Sequence, residues 1–256
     1  MERNNKTIFV SGGTSGIGFA IVEKYLKEGY FVIINYNKGG MSVNVVKEKL
    51  HMSGYLEKID YLLFSADVSN ENNLCDSLNT LSFDLIRTVT ILINNAGILH
   101  RSNICELTQQ DWINVFNVNV FGYSFLAKWF FKQAPNLNNI INIGSIRGES
   151  AITRINNAAY SISKSTIPAL TALQAKTFGP KVRVNAILPG TINTPQRQGI
   201  SNDEIKLYGE KNSIIPRLGK PEEIAEMCFF ITSSKVEYMT GTSIILDGGY
   251  SINYIR

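Results

Sequence analysis

One local pattern narrows the folds open to this chain more than any other. Thr7-Ile8-Phe9-Val10 is a short apolar run, and Ser11-Gly12-Gly13-Thr14-Ser15-Gly16-Ile17-Gly18 is a glycine cluster. An amphipathic segment over residues 19–27 follows directly. A short apolar run bounded by turn signals reads as a buried parallel strand. Ile17, Ala20, Ile21 and Lys24 or Tyr25 recur at helical spacing, and Gly29 stands where a helix C-cap would. Strand, glycine turn and helix in succession let a backbone approach a pyrophosphate closely. The helix N-terminus then offers unpaired N–H groups and a partial positive charge.

The alternation continues along the chain. Residues 31–34, 61–64, 89–93, 140–143, 182–188 and 243–246 read as further strands. Helical segments are expected between them. One opens at Gly39-Gly40 and runs through His51, and one carries Leu74, Leu78, Leu81 and Leu85 on a single face. A long apolar helix runs from Trp112 to Gln133, another follows to about Phe178, and another starts at Pro221. Strands alternating with helices mean βαβ units, and right-handed crossovers make the sheet doubly wound. The expected class is therefore α/β. No linker divides the 256 residues, so one domain over 1–256 is expected, which is long enough for one large core. The weakly patterned stretch 193–216 reads as a lid over the substrate.

A second pattern carries chemistry. Tyr160 and Lys164 lie four residues apart after the fifth strand. On a helix that spacing puts both side chains on one face, about 5–6 Å apart at Cβ. An ammonium so placed favours the phenolate and lowers the Tyr pKa from roughly 10. Such a Tyr can give a proton to a carbonyl oxygen or take one from an alcohol. The second strand ends in Asn35-Tyr36-Asn37-Lys38. An acid there would hold the 2′-hydroxyl of NAD, and it would repel a 2′-phosphate. None is present, and Lys38 with the Asn side chains could bind phosphate, so NADP(H) is favoured over NAD(H).

Charge and cysteine content exclude other classes. The net charge is +4, and the Lys and Arg are scattered, which does not indicate binding to nucleic acid or a membrane surface. No apolar run approaches the roughly 20 residues that span a bilayer, and the N-terminus lacks a signal-peptide core. Three distant cysteines, Cys75, Cys105 and Cys228, suit reduced thiols and a cytoplasmic location. His51 and His100 have no partner at metal-ligand spacing, so no metal site is inferred.

These motifs together resemble the short-chain dehydrogenase/reductases, and the resemblance covers nearly the whole chain. Ser11-Gly12-x-x-x-Gly16-x-Gly18 is similar to the family's cofactor turn, with Ser for Thr. Asp67-Val68 resembles its adenine-contacting pair, and Asn94-Asn95-Ala96-Gly97 its motif after the fourth strand. Asn119, Ser145, Tyr160 and Lys164 match the family's catalytic tetrad. Pro189-Gly190 with Ile192 and Thr194 resembles the segment beside nicotinamide, and Asp247-Gly248-Gly249 the C-terminal signature. The resemblance implies a Rossmann domain whose seven-stranded, mostly parallel sheet has the order 3-2-1-4-5-6-7. It implies cofactor contacts from Gly12, Thr14, Ser15, Gly16, Ile17, Gly18, Asn35, Tyr36 and Asn37. Asp67, Val68, Asn94, Ala96, Gly97, Tyr160, Lys164, Pro189, Gly190, Ile192 and Thr194 complete that set.

By the same resemblance a hydride passes between NAD(P) and a carbonyl or secondary alcohol. Tyr160 would be the general acid/base, with Lys164 lowering its pKa and binding the nicotinamide ribose. Ser145 would donate to the substrate oxygen, and Asn119 would anchor a water linking Lys164 to solvent. A homo-oligomer, tetramer or dimer, is implied. The substrate is left open. A 3-oxoacyl-thioester on a carrier protein is one reading, with Lys132, Lys176 and Lys181 meeting an acidic carrier. A sugar or other small polar alcohol is another, and a non-catalytic dinucleotide-binding protein is a third of a different class. Residues 98–102, 147–157 and 193–215 should line the pocket, with Arg147, Glu149, Arg154, His100 and Arg101 at its rim. Pro168, one turn beyond Lys164, should kink the helix.

Overall fold

Strands that are apolar on both faces need cover on both faces, and the chain supplies it with helices. The computed structural model describes residues 6–149, 152–194 and 201–253. In β1 (Thr7–Val10), Ile8 and Val10 point into one core and Phe9 into the opposite one. In β2 (Phe31–Tyr36), Val32 and Ile34 share the first core and Ile33 the second. β3 (Tyr61–Ser65), β4 (Val89–Asn94), β5 (Asn139–Ile143), β6 (Arg183–Pro189) and β7 (Ser243–Leu246) complete one seven-stranded sheet. Its order is β3-β2-β1-β4-β5-β6-β7, with every neighbouring pair parallel, as the sequence implies. The strand order reverses between β1 and β4, so a crevice opens at their C-terminal ends.

α1 (Gly16–Lys27), α2 (Val43–Met52) and α9 (Pro221–Thr232) pack on one face through Tyr25, Leu50, Ile224 and Cys228. The Tyr25 hydroxyl meets Thr232 Oγ1 at 2.7 Å and ties α1 to α9. α3 (Glu71–Leu78), α4 (Phe83–Thr88), α6 (Gly122–Gln133) and the C-terminal part of α7 (Ala158–Phe178) cover the other face. There Phe9 and Phe130 rings lie 4.8 Å apart between centroids. Burying a large apolar side chain of this kind stabilises by roughly 1.5–3 kcal/mol. α5 (Gln109–Phe116) precedes α6, and α8 (Asn202–Asn212) lies within the stretch expected to form a lid. Residues 195–200 of that stretch, 150–151 of the expected pocket lining and the extreme N-terminus fall outside the described residues.

Three helical expectations change in detail. α2 begins at Val43, because Gly39 and Gly40 have φ of 151° and 81° and cannot start a right-handed helix. Ser42 caps it instead, accepting from Val45 N. The leucine stripe divides between α3 and α4, since Ser82 opens a new helix by accepting from Leu85 N. The Trp112–Gln133 helix begins earlier, at a capping box of Thr108 and Asp111. It also widens to a π-turn over Asn117–Phe121, where Gly122 N donates to Asn117 O. α7 runs unbroken through Pro168, which leaves the Lys164 carbonyl without its usual helical partner. Gly148 lies against that carbonyl, and a Cβ there would sit 2.7 Å from its oxygen.

Candidate active site

The first wall of the crevice is built by neutral hydrogen bonds. Ser11 Oγ accepts from Asn95 N at 2.9 Å and Ala96 N at 3.1 Å, and its own proton reaches Ile93 O at 3.3 Å. Asn95 Nδ2 donates to the Ser11 and Gly12 carbonyls, both at 3.0 Å. The ends of β1 and β4 are thus stapled together. Gly12 adopts φ 63°, and a Cβ on Gly18 would lie 2.2 Å from the Gly12 carbonyl oxygen. No larger residue fits at Gly18. Ser15 flanks α1 without capping it through its side chain, so the first-turn amides of α1 remain open to an acceptor. Thr194 faces Gly16, and a Cβ there would lie 3.2 Å from Thr194 Cγ2. Met41 N donates to the Thr14 carbonyl and folds the segment after β2 over the turn. Backbone amides, a helix N-terminus and space only glycine leaves are what a dinucleotide pyrophosphate requires. The cradle fits that group.

The adenosine side is formed where β2 and β3 end. The Asp67 carboxylate accepts from Ser69 N at 2.9 Å. Burial pushes its pKa up, but hydrogen bonds from Ser69 and Asn37 and the nearby Lys38 charge outweigh that and leave it below the usual value. Val68 is buried against Gly122, where a Cβ would meet the Val68 carbonyl at 2.9 Å.

Two residues expected at the cofactor instead turn their side-chain amides into the sheet. The Asn35 amide donates to Phe64 O at 3.3 Å and Ala66 O at 3.1 Å, so it braces β2 to β3 inside the sheet. The Asn94 amide donates to Asn142 Oδ1 at 2.9 Å and Tyr123 O at 3.3 Å, so it braces β4 to β5 and α6. Both side chains are buried. Asn95, expected only as part of its motif, is the residue that holds the glycine turn.

The floor gathers the four tetrad candidates. Asn119, fully buried in the π-turn, accepts from Ile98 N at 2.8 Å and donates to Ile98 O at 3.1 Å. It also donates to Ser163 Oγ at 2.9 Å, which donates to the Tyr160 carbonyl at 2.7 Å. Ser145, at the end of β5, accepts from Arg147 N at 3.1 Å and lies close enough to the Tyr160 phenol to favour its ionised form. Lys164 Nζ donates to Ile143 O at 2.8 Å and Tyr123 Oη at 3.2 Å. Gly97 borders this ammonium, a Cβ there lying 3.6 Å from Nζ.

Electrostatics at the floor differ from expectation. Burial lowers the Lys164 pKa to about 7. Burial also raises the Tyr160 phenol, opposed by the Ser145 hydroxyl and the Arg147 charge. The expected depression of Tyr160 by Lys164 is absent because the ammonium is turned to Ile143 and Tyr123. Ser145 and Arg147 favour the phenolate instead.

The far wall comes from the end of β6. Gly190 N donates to Leu246 O at 3.0 Å, and a Cβ on Gly190 would lie 2.6 Å from Asp247 Cα. Ile192 pairs with Gly219 in an isolated bridge that holds the segment after Pro189. Asp247 accepts from Gly249 N at 2.8 Å and Ser251 N at 2.7 Å, which forms the tight turn presenting Tyr250. At the rim, Arg147 and Arg154 converge on Tyr208 and Tyr250, whereas His100 pairs with Asp111 at 3.5 Å. Sequence reading overlooked Ser163, Tyr123, Tyr208 and Tyr250. Ser163 alone had a local signal, standing beside Lys164. Among the described residues no helix is long and apolar enough to cross a membrane.

Comparison with known proteins gives a consistent family. Residues 12–251 match a family model described as enoyl-(acyl carrier protein) reductase. The chain is 31% identical to glucose 1-dehydrogenase 2 of Bacillus subtilis (strain 168), covering 98% of this chain and 96% of that protein. It is 28% identical to the NADP-dependent (R)-specific alcohol dehydrogenase of Lentilactobacillus kefiri, over 96% of both. Its fold superposes on a 4-hydroxyisoleucine dehydrogenase complexed with NADH, with TM-score 0.85 and 26% identity, covering 97% of this chain and 100% of that one.

Proposed function

This chain belongs to the short-chain dehydrogenase/reductases, NAD(P)-dependent enzymes, and we propose from that premise that it interconverts a carbonyl and a secondary alcohol with Tyr160 as general acid/base. The observation that carries this reading is the convergence of Ser145, Tyr160, Lys164 and Asn119 where β5 and α7 meet, beside a glycine cradle shaped for a dinucleotide. Bound nicotinamide dinucleotide supplies the hydride or accepts it. In the reductive direction Tyr160 gives its phenolic proton to the substrate oxygen, and in the oxidative direction it takes one up. Ser145 donates to that same oxygen as charge develops on it. The Arg147 charge stabilises the phenolate left on Tyr160. Lys164 is the reservoir behind it. Held near pKa 7, it can pass a proton on at neutral pH, and Asn119 keeps the α6–α7 contact in register for a water that leads to solvent.

Cofactor residues follow the cradle. Gly12, Thr14, Ser15, Gly16, Ile17 and Gly18 hold the pyrophosphate, with Ala96 and Gly97 along the ribose side. Asp67 and Val68 border adenine, and Pro189, Gly190, Ile192 and Thr194 border nicotinamide. Tyr36, Asn37 and Lys38 receive the adenosine ribose. The absence of an acid at the end of β2 and the presence of Lys38 favour NADP(H). Titration by nucleotide fluorescence should therefore show tighter binding of NADPH. A tenfold preference for NADH, about 1.4 kcal/mol, would overturn this assignment.

The substrate reading favoured here is a small polar carbonyl or alcohol. Similarity to a glucose and an alcohol dehydrogenase supports it. The carrier-protein reading loses its support in the topology. Lys132 and Lys176 lie in the last turns of α6 and α7, and Lys181 precedes β6. All three sit towards the N-terminal ends of the strands, opposite the crevice. Tyr160→Phe tests the mechanism: NADPH binding should persist while turnover falls by about 10²–10⁴. Unchanged turnover would remove Tyr160 from its role.

A further inference from the structure

Four side chains from four separate segments meet above Ser145. Arg147 comes from the 3₁₀ turn after β5, and Arg154 from the loop before α7. Tyr208 comes from α8, and Tyr250 from the turn that Asp247 shapes. Arg147 Nη2 donates to Tyr208 Oη at 3.2 Å and to Tyr250 Oη at 3.3 Å. Arg154 Nη2 donates to Tyr250 Oη at 3.2 Å and also to Tyr208 Oη. Each guanidinium also stacks on a ring, Arg147 on Tyr250 at 5.0 Å and Arg154 on Tyr208 at 5.5 Å. Two permanent cations are therefore fixed on the same two phenol oxygens.

Among the described residues no carboxylate pairs with either guanidinium. The chain does pair an arginine elsewhere on this side of the fold, where Arg217 makes a two-pronged bridge to Glu223 at 2.8 and 2.7 Å. A clasp needing only stability would use such a bridge. Here the forked donors are gathered around neutral acceptors, the arrangement that suits a planar oxyanion arriving from outside. Arg147 also connects the cluster to the reacting centre, because its backbone N–H donates to Ser145 Oγ.

We propose that Arg147 and Arg154, set by Tyr208 and Tyr250, bind an oxyanion carried by the substrate, a carboxylate or a phosphate, and so select carbonyl compounds or alcohols bearing negative charge. The inference rests on Tyr160 being the acid/base, since that places the reacting oxygen below the cluster. Burial raises the Tyr250 phenol, but hydrogen bonds from Tyr208, Arg154 and Arg147 bring its pKa down to about 8. The cluster draws negative charge onto the group within it that can carry some.

Two measurements decide the proposal. In the first, sodium acetate and sodium phosphate are added to wild type and to Arg154→Gln, against sodium chloride at matched ionic strength, and thermal unfolding is followed. A saturable rise in Tm with at least one anion, lost or reduced at least threefold in the variant, is expected. The responsive anion identifies the carboxylate or the phosphate as the ligand. No rise over chloride, or an equal rise in both proteins, would overturn the site. In the second, NADPH and NADH oxidation is measured with levulinate against methyl levulinate, and with dihydroxyacetone phosphate against dihydroxyacetone. For one pair the charged member should have at least tenfold higher kcat/KM, expressed mainly in KM. That ratio should collapse in Arg154→Gln and return in part in Arg154→Lys. Equal use of charged and neutral members, with turnover intact, would overturn the inference and leave hydride transfer standing. If no carbonyl is reduced with either cofactor, the hydride-transfer reading is what fails, and the unfolding measurement still decides the anion site.

Discussion

Asn119 and Arg147 both bear on Tyr160, by opposite means. Asn119, itself fully buried, acts through neutral groups in a chain of hydrogen bonds from Ile98 to Ser163 to the Tyr160 carbonyl. Arg147 acts through charge in a half-exposed cluster, touching Ser145 only with its backbone. The floor is buried, uncharged except for Lys164, and tied to the sheet. The rim is cationic, half-exposed, and assembled from α8 and the short turns around it. A floor of this kind fixes which bond reacts, and a rim of this kind fixes which molecule is admitted. The same division explains how relatives named for glucose, an alcohol and 4-hydroxyisoleucine share one fold.

The comparison breaks first at the glycine turn, where the largest effect is expected. In Gly18→Ala the new methyl would lie 2.2 Å from the Gly12 carbonyl and 2.5 Å from Asn95 Nδ2, and neither the backbone nor the stapled amide can yield. NADPH binding should vanish from a fluorescence titration. Stability should fall by about 1–3 kcal/mol, read as a drop in Tm of roughly 2–4 °C per kcal/mol. Normal binding would mean that the stapled wall of the crevice, which shares the floor's neutral build, is softer than described.

Asn119→Ala should have the next largest effect. It strips side-chain partners from both the N–H and the C=O of half-exposed Ile98 and removes the buried donor to Ser163 Oγ, together a loss of about 1–3 kcal/mol. Urea unfolding should show the loss, and turnover should fall with it while KM changes little. A variant altered only in KM would move Asn119 from floor to rim.

The smallest effect sharpens the rim. Tyr250 should ionise near pH 8 in an ultraviolet difference titration, two units below its ordinary value, and the step should disappear in Tyr250→Phe. A phenol whose folded-state pKa is depressed favours the native state above that pKa. The rim should therefore tighten as pH rises through 8 and slacken as it falls through 8. A titration without that step would show that the arginines do not act on Tyr250.

The unequal legibility of the two regions follows from how each is coded. The floor was readable because its groups sit in short motifs at strand ends, where strand and helix periods fix their direction. Tyr160 and Lys164 are one helical turn apart, and Asn94-Asn95-Ala96-Gly97 directly follows β4. What the motifs left out was direction within an Asn pair. Alternation turns Asn94 inward, which leaves Asn95 to meet the glycine turn. The rim was only half readable. Arg147 and Arg154 could be placed near the pocket, but Tyr208 and Tyr250 lie 61 and 103 residues from Arg147, in segments without periodicity. The leucine stripe misled for a related reason. Spacing alone passes over a cap, and Ser82 restarts the helix between Leu81 and Leu85 without disturbing the pattern. Lys164 shows a third limit. Sequence spacing put it beside Tyr160, but a buried carbonyl and a second phenol compete for its ammonium.

The Asn119 side chain takes on a larger part when its geometry is set beside that of a strand. Its carboxamide accepts from the N–H of Ile98 and donates to the C=O of the same residue, the pair of bonds a neighbouring strand would exchange with it. One amide thus prolongs β4 by an artificial rung, four residues past the point where backbone pairing stops. The border between framework and free loop consequently falls after residue 98. Insertions beyond Leu99 can reshape the pocket mouth and leave the reacting centre undisturbed, whereas any change of length between Asn94 and Ile98 would shear the rung from its partner.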